Sequence, residues 1–407
     1  MSSRKIVIIG AGPAGVGAAM GARARDADAQ ITLIADEDCE PYEKPPLSKA
    51  VLLGKAAPHD APIAGPKGVA GHGITQRHAR IQTIDRGARC VVTEAGESIP
   101  YDALIIATGA VNRILPMFPL NDPGIYYLRN VDDAVAIKAH LDTARSLAVV
   151  GGGVIGLEVA ASAVELGINT TVIELAPRLL SRICDEETSA IVLGRHLAHG
   201  VDVRLGTTIS DLRRLADGHL ALHLGSGETI EADLVVVGIG ARPDDALATA
   251  AGLDANDGLI VDDRCRTSDP AIYAAGDVTR FPGPHGPVRL ENWRHAQEQG
   301  MAAGRNAAGD DVAYSTAPSF WTEQYDLYVQ GVGWPVPHPT ARVKRPAASH
   351  ASLVFDLDGA HLAYVVGVNA QRDIAAARRL IERKVPVDPA DLADPAKPLA
   401  GLLKAKA

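Results

Sequence analysis

An α/β chain with mostly parallel sheets, followed by a smaller α+β domain, is what the sequence predicts. Three observations carry this. Short β-branched runs alternate with alanine-rich helical stretches, two strand–loop–helix units look alike, and after about residue 315 the texture turns to aromatic-bearing strands.

The strand candidates are residues 5–9, 31–35, 103–107, 147–150, 170–174 and 233–237, each bounded by glycine or polar residues. Helical stretches at 14–25 and 155–166 follow two of them directly. Residues 6–36 and 149–174 each read as strand, glycine loop, helix, strand, acid, which is an internal duplication rather than a short-period repeat. Residues 319–333 and 351–369 are strand-like, with a basic helix expected over 371–384 and a Pro/Ala/Lys tail beyond.

A length of 407 residues accommodates about two to four domains. With 47% hydrophobic and 22% charged residues, wholesale disorder is excluded. A net charge of −9 argues against a nucleic-acid binder. Cys39, Cys90, Cys184 and Cys265 are the cysteines, and the closest two lie 51 positions apart, so neither a CxxC nor a disulfide framework exists. Arg4 and Lys5 before the apolar run from Ile6 mimic a secretory leader, but glycines at fixed offsets read as a strand and loop instead. The uncharged stretch 147–157 is 11 residues long, where a membrane span needs about 20. A cytoplasmic protein with reduced thiols is expected, without membrane or nucleic-acid partners.

Gly10-Ala11-Gly12-Pro13-Ala14-Gly15 is a GxGxxG between a strand and a helix. The first glycine permits the tight turn, the second lets backbone approach a pyrophosphate, and the third lets the helix pack close. The phosphates would sit at the helix N-terminus. Asp36, 21 residues after Gly15, is placed to accept from a ribose hydroxyl. The alternative is a glycine-rich structural turn. Gly151-Gly152-Gly153-Val154-Ile155-Gly156 repeats the pattern, with Glu174 following 18 residues after Gly156. An acid there favours NAD over a 2′-phosphate. Arg178 and Arg182 lie just beyond, either to bind a phosphate or as plain solvated surface.

Two such loops call for two dinucleotides, and a flavin with a nicotinamide is the economical pair. The flavin belongs at the first loop, because Gly276-Asp277 closes a downstream strand and Thr108-Gly109 closes an earlier one. The expected architecture is two nested Rossmann-like dinucleotide-binding domains, disulfide-reductase-like, plus the C-terminal α+β domain. Its boundaries are 1–112 with 242–316 for FAD, 113–241 for NAD, and 317–407 for a C-terminal interface domain.

Further motifs are Pro41-Tyr42-Glu43-Lys44-Pro45-Pro46-Leu47-Ser48-Lys49, Tyr127-Leu128-Arg129, Val154-Ile155-Gly156-Leu157-Glu158 and the run from Glu291 through Trp293 to Gly300. Phe320-Trp321-Thr322-Glu323-Gln324 opens the third domain. On these residues the chain resembles, over nearly its whole length, the FAD-dependent, NADH-using ferredoxin reductases of bacterial oxygenase systems, the putidaredoxin reductase and biphenyl dioxygenase reductase kind. The resemblance implies that Ala14 and its flanking Gly12, Pro13 and Gly15 contact the FAD pyrophosphate. It implies FAD contacts for Asp36, Lys44 and Lys49, the last near the isoalloxazine, and for Ile81 through its backbone to adenine. Arg129 would approach the flavin or its phosphates, Asp277 and Trp293 would line the ribityl chain and ring edge, and Glu291 would also bind cofactor. Trp321 would pack near the ring, and Gly240 completes the nicotinamide side with Gly151, Gly153 and Arg182. Lysine stands at position 44 where relatives often carry arginine, which weakens a forked phosphate contact.

Where disulfide reductases of this architecture hold a redox-active cysteine pair, this chain has residues 43–49, and Cys39 lies several positions too early to serve. Electrons are then expected to leave the flavin directly for a one-electron protein acceptor, a [2Fe-2S] ferredoxin. Lys49 and Glu158 are expected to form an ion pair beside the nicotinamide slot, catalytic in role or merely a fastener. From Arg342 to Lys384 there are eight basic and four acidic residues, so Arg342, Arg372, Arg378, Arg379 and Arg383 form a candidate docking face, or a solvated one. Alternatives are an NADH oxidase or quinone reductase, and an NADH-sensing flavoprotein resembling apoptosis-inducing factor. His196 and His199 sit three apart without a carboxylate cluster, so no metal is expected. Monomer or weak homodimer is the expected state.

Overall fold

A computed structural model describes residues 3–345 and 351–403. The first two residues of the leader-like segment, His350 and the last four residues of the tail lie outside the described residues. The chain divides into two compact units. One holds the residues up to Glu43 with His59–Val111 and Ala241–Pro318, and the other holds Lys44–Pro58, Asn112–Gly240 and the residues from Ser319 onward.

The helices used below are α1 (Pro13–Arg25), α2 (Val131–Leu141), α3 (Val154–Glu165), α4 (Glu186–Ala198), α5 (Ala246–Ala250), α6 (Trp293–Ala307) and α7 (Gln371–Glu382).

In the first unit a five-stranded sheet runs in the order Ile272–Ala274, Ala103–Ile106, Lys5–Ile9, Gln30–Ala35, Thr75–His78, with every pairing parallel. Its inner strands Ala103–Ile106, Lys5–Ile9 and Gln30–Ala35 are almost uninterrupted apolar runs because both faces are covered, whereas the edge strand Thr75–His78 is polar. The short helix α5 lies outside this sheet. α1 begins one residue earlier than its pattern suggests, at Pro13, whose fixed φ suits the first helical position. α6 packs along α1 through facing glycines, Gly17 and Gly21 on one helix and Gly300 and Gly304 on the other.

The second unit repeats the design. Its parallel sheet runs Asp202–Arg204, Asn169–Ile173, Ser146–Val150, Leu234–Val237, Ile125–Tyr126. The strand expected over 170–174 ends at Ile173, because the Glu174 carboxylate turns back to the glycine loop. Residues 44–58, expected within the first domain, pack with this unit: the Ser162 hydroxyl on α3 donates to the Ser48 carbonyl at 2.8 Å.

The expected strand-like span 319–333 is two antiparallel strands, Ser319–Gln324 and Leu327–Gly333, reversed at Tyr325 with φ +58°. The span 351–369 is likewise Ser352–Asp358 and His361–Val368. With Ala341–Arg345 they form a five-stranded antiparallel sheet. One face buries Phe355 and Val365, and α7 lies on that side, with Ile374 against Gly367. The opposite face carries Arg342, Asp356 and Tyr364 in one cross-strand row.

Among the described residues no helix is long and apolar enough to cross a membrane.

Candidate active site

The first glycine loop follows Lys5–Ile9. Gly10 sits at φ +102°, and a Cβ there would overlap the Ala107 carbonyl oxygen. A Cβ on Gly15 would overlap the Gly10 carbonyl oxygen, so the helix can approach the loop only through glycine. Nothing lies within 4 Å of the Cβ position of Gly12, the N-cap of α1. No side chain caps that helix and no acid sits in its first turn. The loop therefore presents open backbone and free N–H donors, which fits a pyrophosphate.

Around this loop the structure gathers most of the expected residues of the first unit. Gly276, at φ +83°, lies against Ala14, and its N–H donates to the Gln299 side chain at 2.8 Å, which places Asp277 next to α1. Thr108 donates to the Asp244 carbonyl at 2.7 Å, beside Gly109 at φ +76°. Trp293 is the first residue of α6 and its side chain lies beside Glu43, whose carboxyl is raised by burial and eased back by the indole. His295 stacks on Phe281 with centroids 4.9 Å apart, and burial pushes it down to about 3, so its ring is neutral. Asp36 is mostly exposed, with Arg80 at 3.9 Å. Ile81 opens the strand Ile81–Asp85, and Glu291 is engaged by Arg289.

The second loop is a copy. Gly151 has φ +113°, Cβ atoms on Gly151 and Gly156 would overlap the carbonyl oxygens of Gly238 and Gly151, and Gly153 is open. Val154 and Ile155 begin α3, with Ile155 exposed. Glu174 accepts from Gly152 N–H at 2.5 Å and Ala176 N–H at 2.6 Å, which fixes its carboxylate at the mouth of the loop. Arg182 reaches to within 3.4 Å of the Cβ position of Gly240. Arg178 is committed elsewhere: its guanidinium donates to the carbonyls of Ser181 and Cys184 and to the Ser189 hydroxyl. That leaves Arg182 as the arginine available to a nucleotide phosphate. Also in this unit, Lys44 donates to the Arg129 carbonyl at 3.3 Å, bringing those two expected residues together at the start of α2.

The Lys49–Glu158 ion pair is formed, Nζ to Oε2 at 3.0 Å. Glu158 lies on α3 and is 4% exposed. A charge buried that deeply needs further donors. They are the Ser48 hydroxyl on Oε2 at 2.5 Å and the Thr322 hydroxyl on Oε1 at 2.7 Å. Neither had been singled out in the sequence. Thr322 lies within the Phe320–Gln324 motif next to Trp321, and strand alternation puts it on the face opposite that half-buried ring.

No disulfide joins the cysteines; Cys39 is half-buried and the other three are buried, with burial pushing the Cys184 thiol up to about 12. Among the described residues no group of three or more His, Cys, Asp or Glu is placed to hold a metal. The expected docking face is divided. Arg342 pairs with Asp356 on the sheet face opposite α7, so it cannot share a surface with Arg372, Arg379 and Arg383. Arg378 is largely buried beside Glu382.

Comparison with known proteins bears on this arrangement. Residues 4–300 match the family model described as pyridine nucleotide-disulphide oxidoreductase, and residues 319–403 match the reductase C-terminal model. The chain is 40% identical over 403 residues to the ferredoxin–NAD(+) reductase component of the anthranilate 1,2-dioxygenase system of Burkholderia cepacia, covering 97% of this chain and 98% of that one. The chain belongs to the ferredoxin–NAD(+) reductase family. The reductase is also 37% identical to rhodocoxin reductase of Rhodococcus erythropolis, over 96% of this chain and 92% of that one. Putidaredoxin reductase, solved as a covalent complex with putidaredoxin, matches over 100% of both chains with a TM-score of 0.93 and 33% identity. A water-forming NADH oxidase from Lactobacillus brevis shares the fold at a TM-score of 0.86 and 22% identity. The reductase is an oxidoreductase, and its family implies FAD and NAD(P)H.

Proposed function

We propose that the reductase takes hydride from NADH onto FAD and delivers single electrons to a [2Fe-2S] ferredoxin serving a monooxygenase of the P450 kind or a ring-hydroxylating dioxygenase. One NADH yields NAD+, a proton and two reduced ferredoxins. The observation that carries this reading is what stands in place of a redox thiol pair. No cysteine occurs between Cys39 and Cys90, and the segment instead supplies Lys49 to the buried Glu158. Bound FAD supplies the exchange between two-electron and one-electron chemistry. The protein's own contribution is orientation: the two loops hold pyrophosphates, and Lys49 with Glu158 walls the nicotinamide slot. By family resemblance, Trp321, Lys44 and Arg129 would serve the bound FAD.

The test is an anaerobic titration with NADH followed by turnover with a ferredoxin panel. Flavin bleaching, with turnover that requires ferredoxin, is expected. Equal turnover without ferredoxin would make the enzyme an oxidase, and a long-lived charge-transfer complex with slow hydride transfer would make it a sensor.

NADH is the favoured nucleotide because the Glu174 carboxylate sits where a 2′-phosphate would bring like charge. Replacing it by glutamine keeps an acceptor for Gly152 N–H and removes the charge. Glu174→Gln is expected to raise the NADPH-to-NADH ratio of kcat/KM about tenfold. An unchanged ratio would remove Glu174 from nucleotide choice.

Arg372, Arg379, Arg383 and Lys384 remain exposed at α7 and its end, and we assign them the docking role. Ferredoxin-dependent cytochrome c reduction is expected to fall steeply with ionic strength in the wild type. In Arg379→Glu/Arg383→Glu it is expected to start low and vary little with salt. Two equal salt profiles would move docking elsewhere.

A further inference from the structure

Glu158 lies at one end of a buried row of polar side chains that the proposed chemistry does not use. Thr322 Oγ1 is 2.7 Å from Glu158 Oε1, Gln324 Nε2 is 3.1 Å from Thr322 Oγ1, and His196 Nε2 is 2.8 Å from Gln324 Oε1. The Tyr325 hydroxyl is 3.1 Å from His196 Nδ1. Thr322 and His196 are fully buried and Gln324 is 2% exposed.

The directions of these bonds are not free. An ionised carboxylate only accepts, so the Thr322 hydroxyl must donate to Glu158. Its lone pair then accepts from the Gln324 amide nitrogen. That orientation turns the Gln324 oxygen toward His196, so His196 carries its proton on Nε2. Nδ1 is left as an acceptor for the Tyr325 hydroxyl. Every donor in the row points toward Glu158. Reversing one link leaves two donors or two acceptors facing each other in a dry interior, which costs more than an ordinary hydrogen bond contributes. Burial lowers the His196 pKa, which agrees with the neutral ring this order needs.

We infer that Thr322, Gln324 and His196 are positioning residues for Glu158, a one-way hydrogen-bond row that fixes its carboxylate and turns Oε2 toward Lys49. Among the described residues, the groups hydrogen-bonded to that carboxylate are Ser48, Lys49 and Thr322, so the row enters through Thr322. The inference rests on the proposed role of the Lys49–Glu158 pair, and its test separates the two.

Thr322→Val keeps the shape and removes the donor, while Thr322→Ser restores it. In stopped-flow reduction by saturating NADH, Thr322→Val is expected to be slowed about tenfold, the size of one lost hydrogen bond to a charged group, with the NADH Kd within about twofold. Thr322→Ser is expected to recover most of the rate, and His196→Phe to show a smaller loss in the same direction. In a Glu158→Gln background, Thr322→Val is expected to add nothing, since the charge on which it acts is gone. Infrared spectra of the apoprotein give a readout without turnover. The carboxylate stretch that Glu158→Gln removes is expected to shift in Thr322→Val and to return to its wild-type position in Thr322→Ser. If Thr322→Val slows reduction equally in both backgrounds, or leaves the rate and the spectrum unchanged while Glu158→Gln slows it, the row is a structural filler and the inference fails. If Glu158→Gln itself reduces at the wild-type rate, the proposed role of the pair fails first.

Discussion

Gly304→Ala is expected to destabilise the protein by about 3 kcal/mol and to release its flavin, because α6 can lie on α1 only where a Cβ is missing. A methyl on Gly304 would overlap the Ala18 carbonyl, one on Gly300 the Ala14 carbonyl, and ones on Gly17 and Gly21 the carbonyls of Gln297 and Met301. All four overlaps are with backbone, closer than 3.0 Å, so no flexible side chain can yield. The helices would have to separate, and with them the register of α1 against the first glycine loop, since Ala14 touches both Gly276 and Gly300. Gly194→Ala in α4 is the matched control. Nothing lies within 4 Å of that Cβ position, so helix propensity alone acts there and a gain of up to about 1 kcal/mol is expected. Urea melts of the holoenzyme and flavin retained through gel filtration check both. If the two substitutions behave alike, the close helix contact is not what holds the loop.

How much of this could be read from the sequence depends on the range of the interaction. The two glycine loops are local: Gly10 and Gly151 need positive φ, and Gly15 and Gly156 meet the loop a few residues away, so the motif carries its own geometry. The pairing of Lys49 with Glu158 spans 109 positions and was accessible only through family resemblance. The partners of Glu158 were not accessible at all. Thr322 and Gln324 look like ordinary alternate residues of a strand, and nothing in His196 announces that it faces Gln324, 128 positions away. Spacings of four in Gly17/Gly21 and Gly300/Gly304 were visible signals that two helices approach closely. The docking face erred for a related reason. Arg342 and the arginines of α7 are near in sequence, but strand parity sends Arg342 to the side of the sheet that α7 does not cover.

Lys49→Ala and Glu158→Ala are each expected to slow hydride transfer about a hundredfold in stopped flow, the scale seen when one preorganised charged group is removed from a reacting site. Each also breaks a buried pair, which by itself costs about 3–5 kcal/mol of stability. A slower enzyme could therefore be a loosened one, in which the segment 44–58 has come away from α3. The replacement that separates these readings is Lys49→Met with Glu158→Met. Two methionines refill the volume without a charge to desolvate, and such apolar substitution often restores stability or improves on it. A fastening role predicts that the rate returns with the melting temperature. A role at the nicotinamide predicts a stable protein that stays slow, because two thioethers can fill the space of the pair but supply neither its ammonium nor its carboxylate. The double variant should also be little slower than the worse single one, since the two side chains act as a single unit and removing half of it already removes its effect.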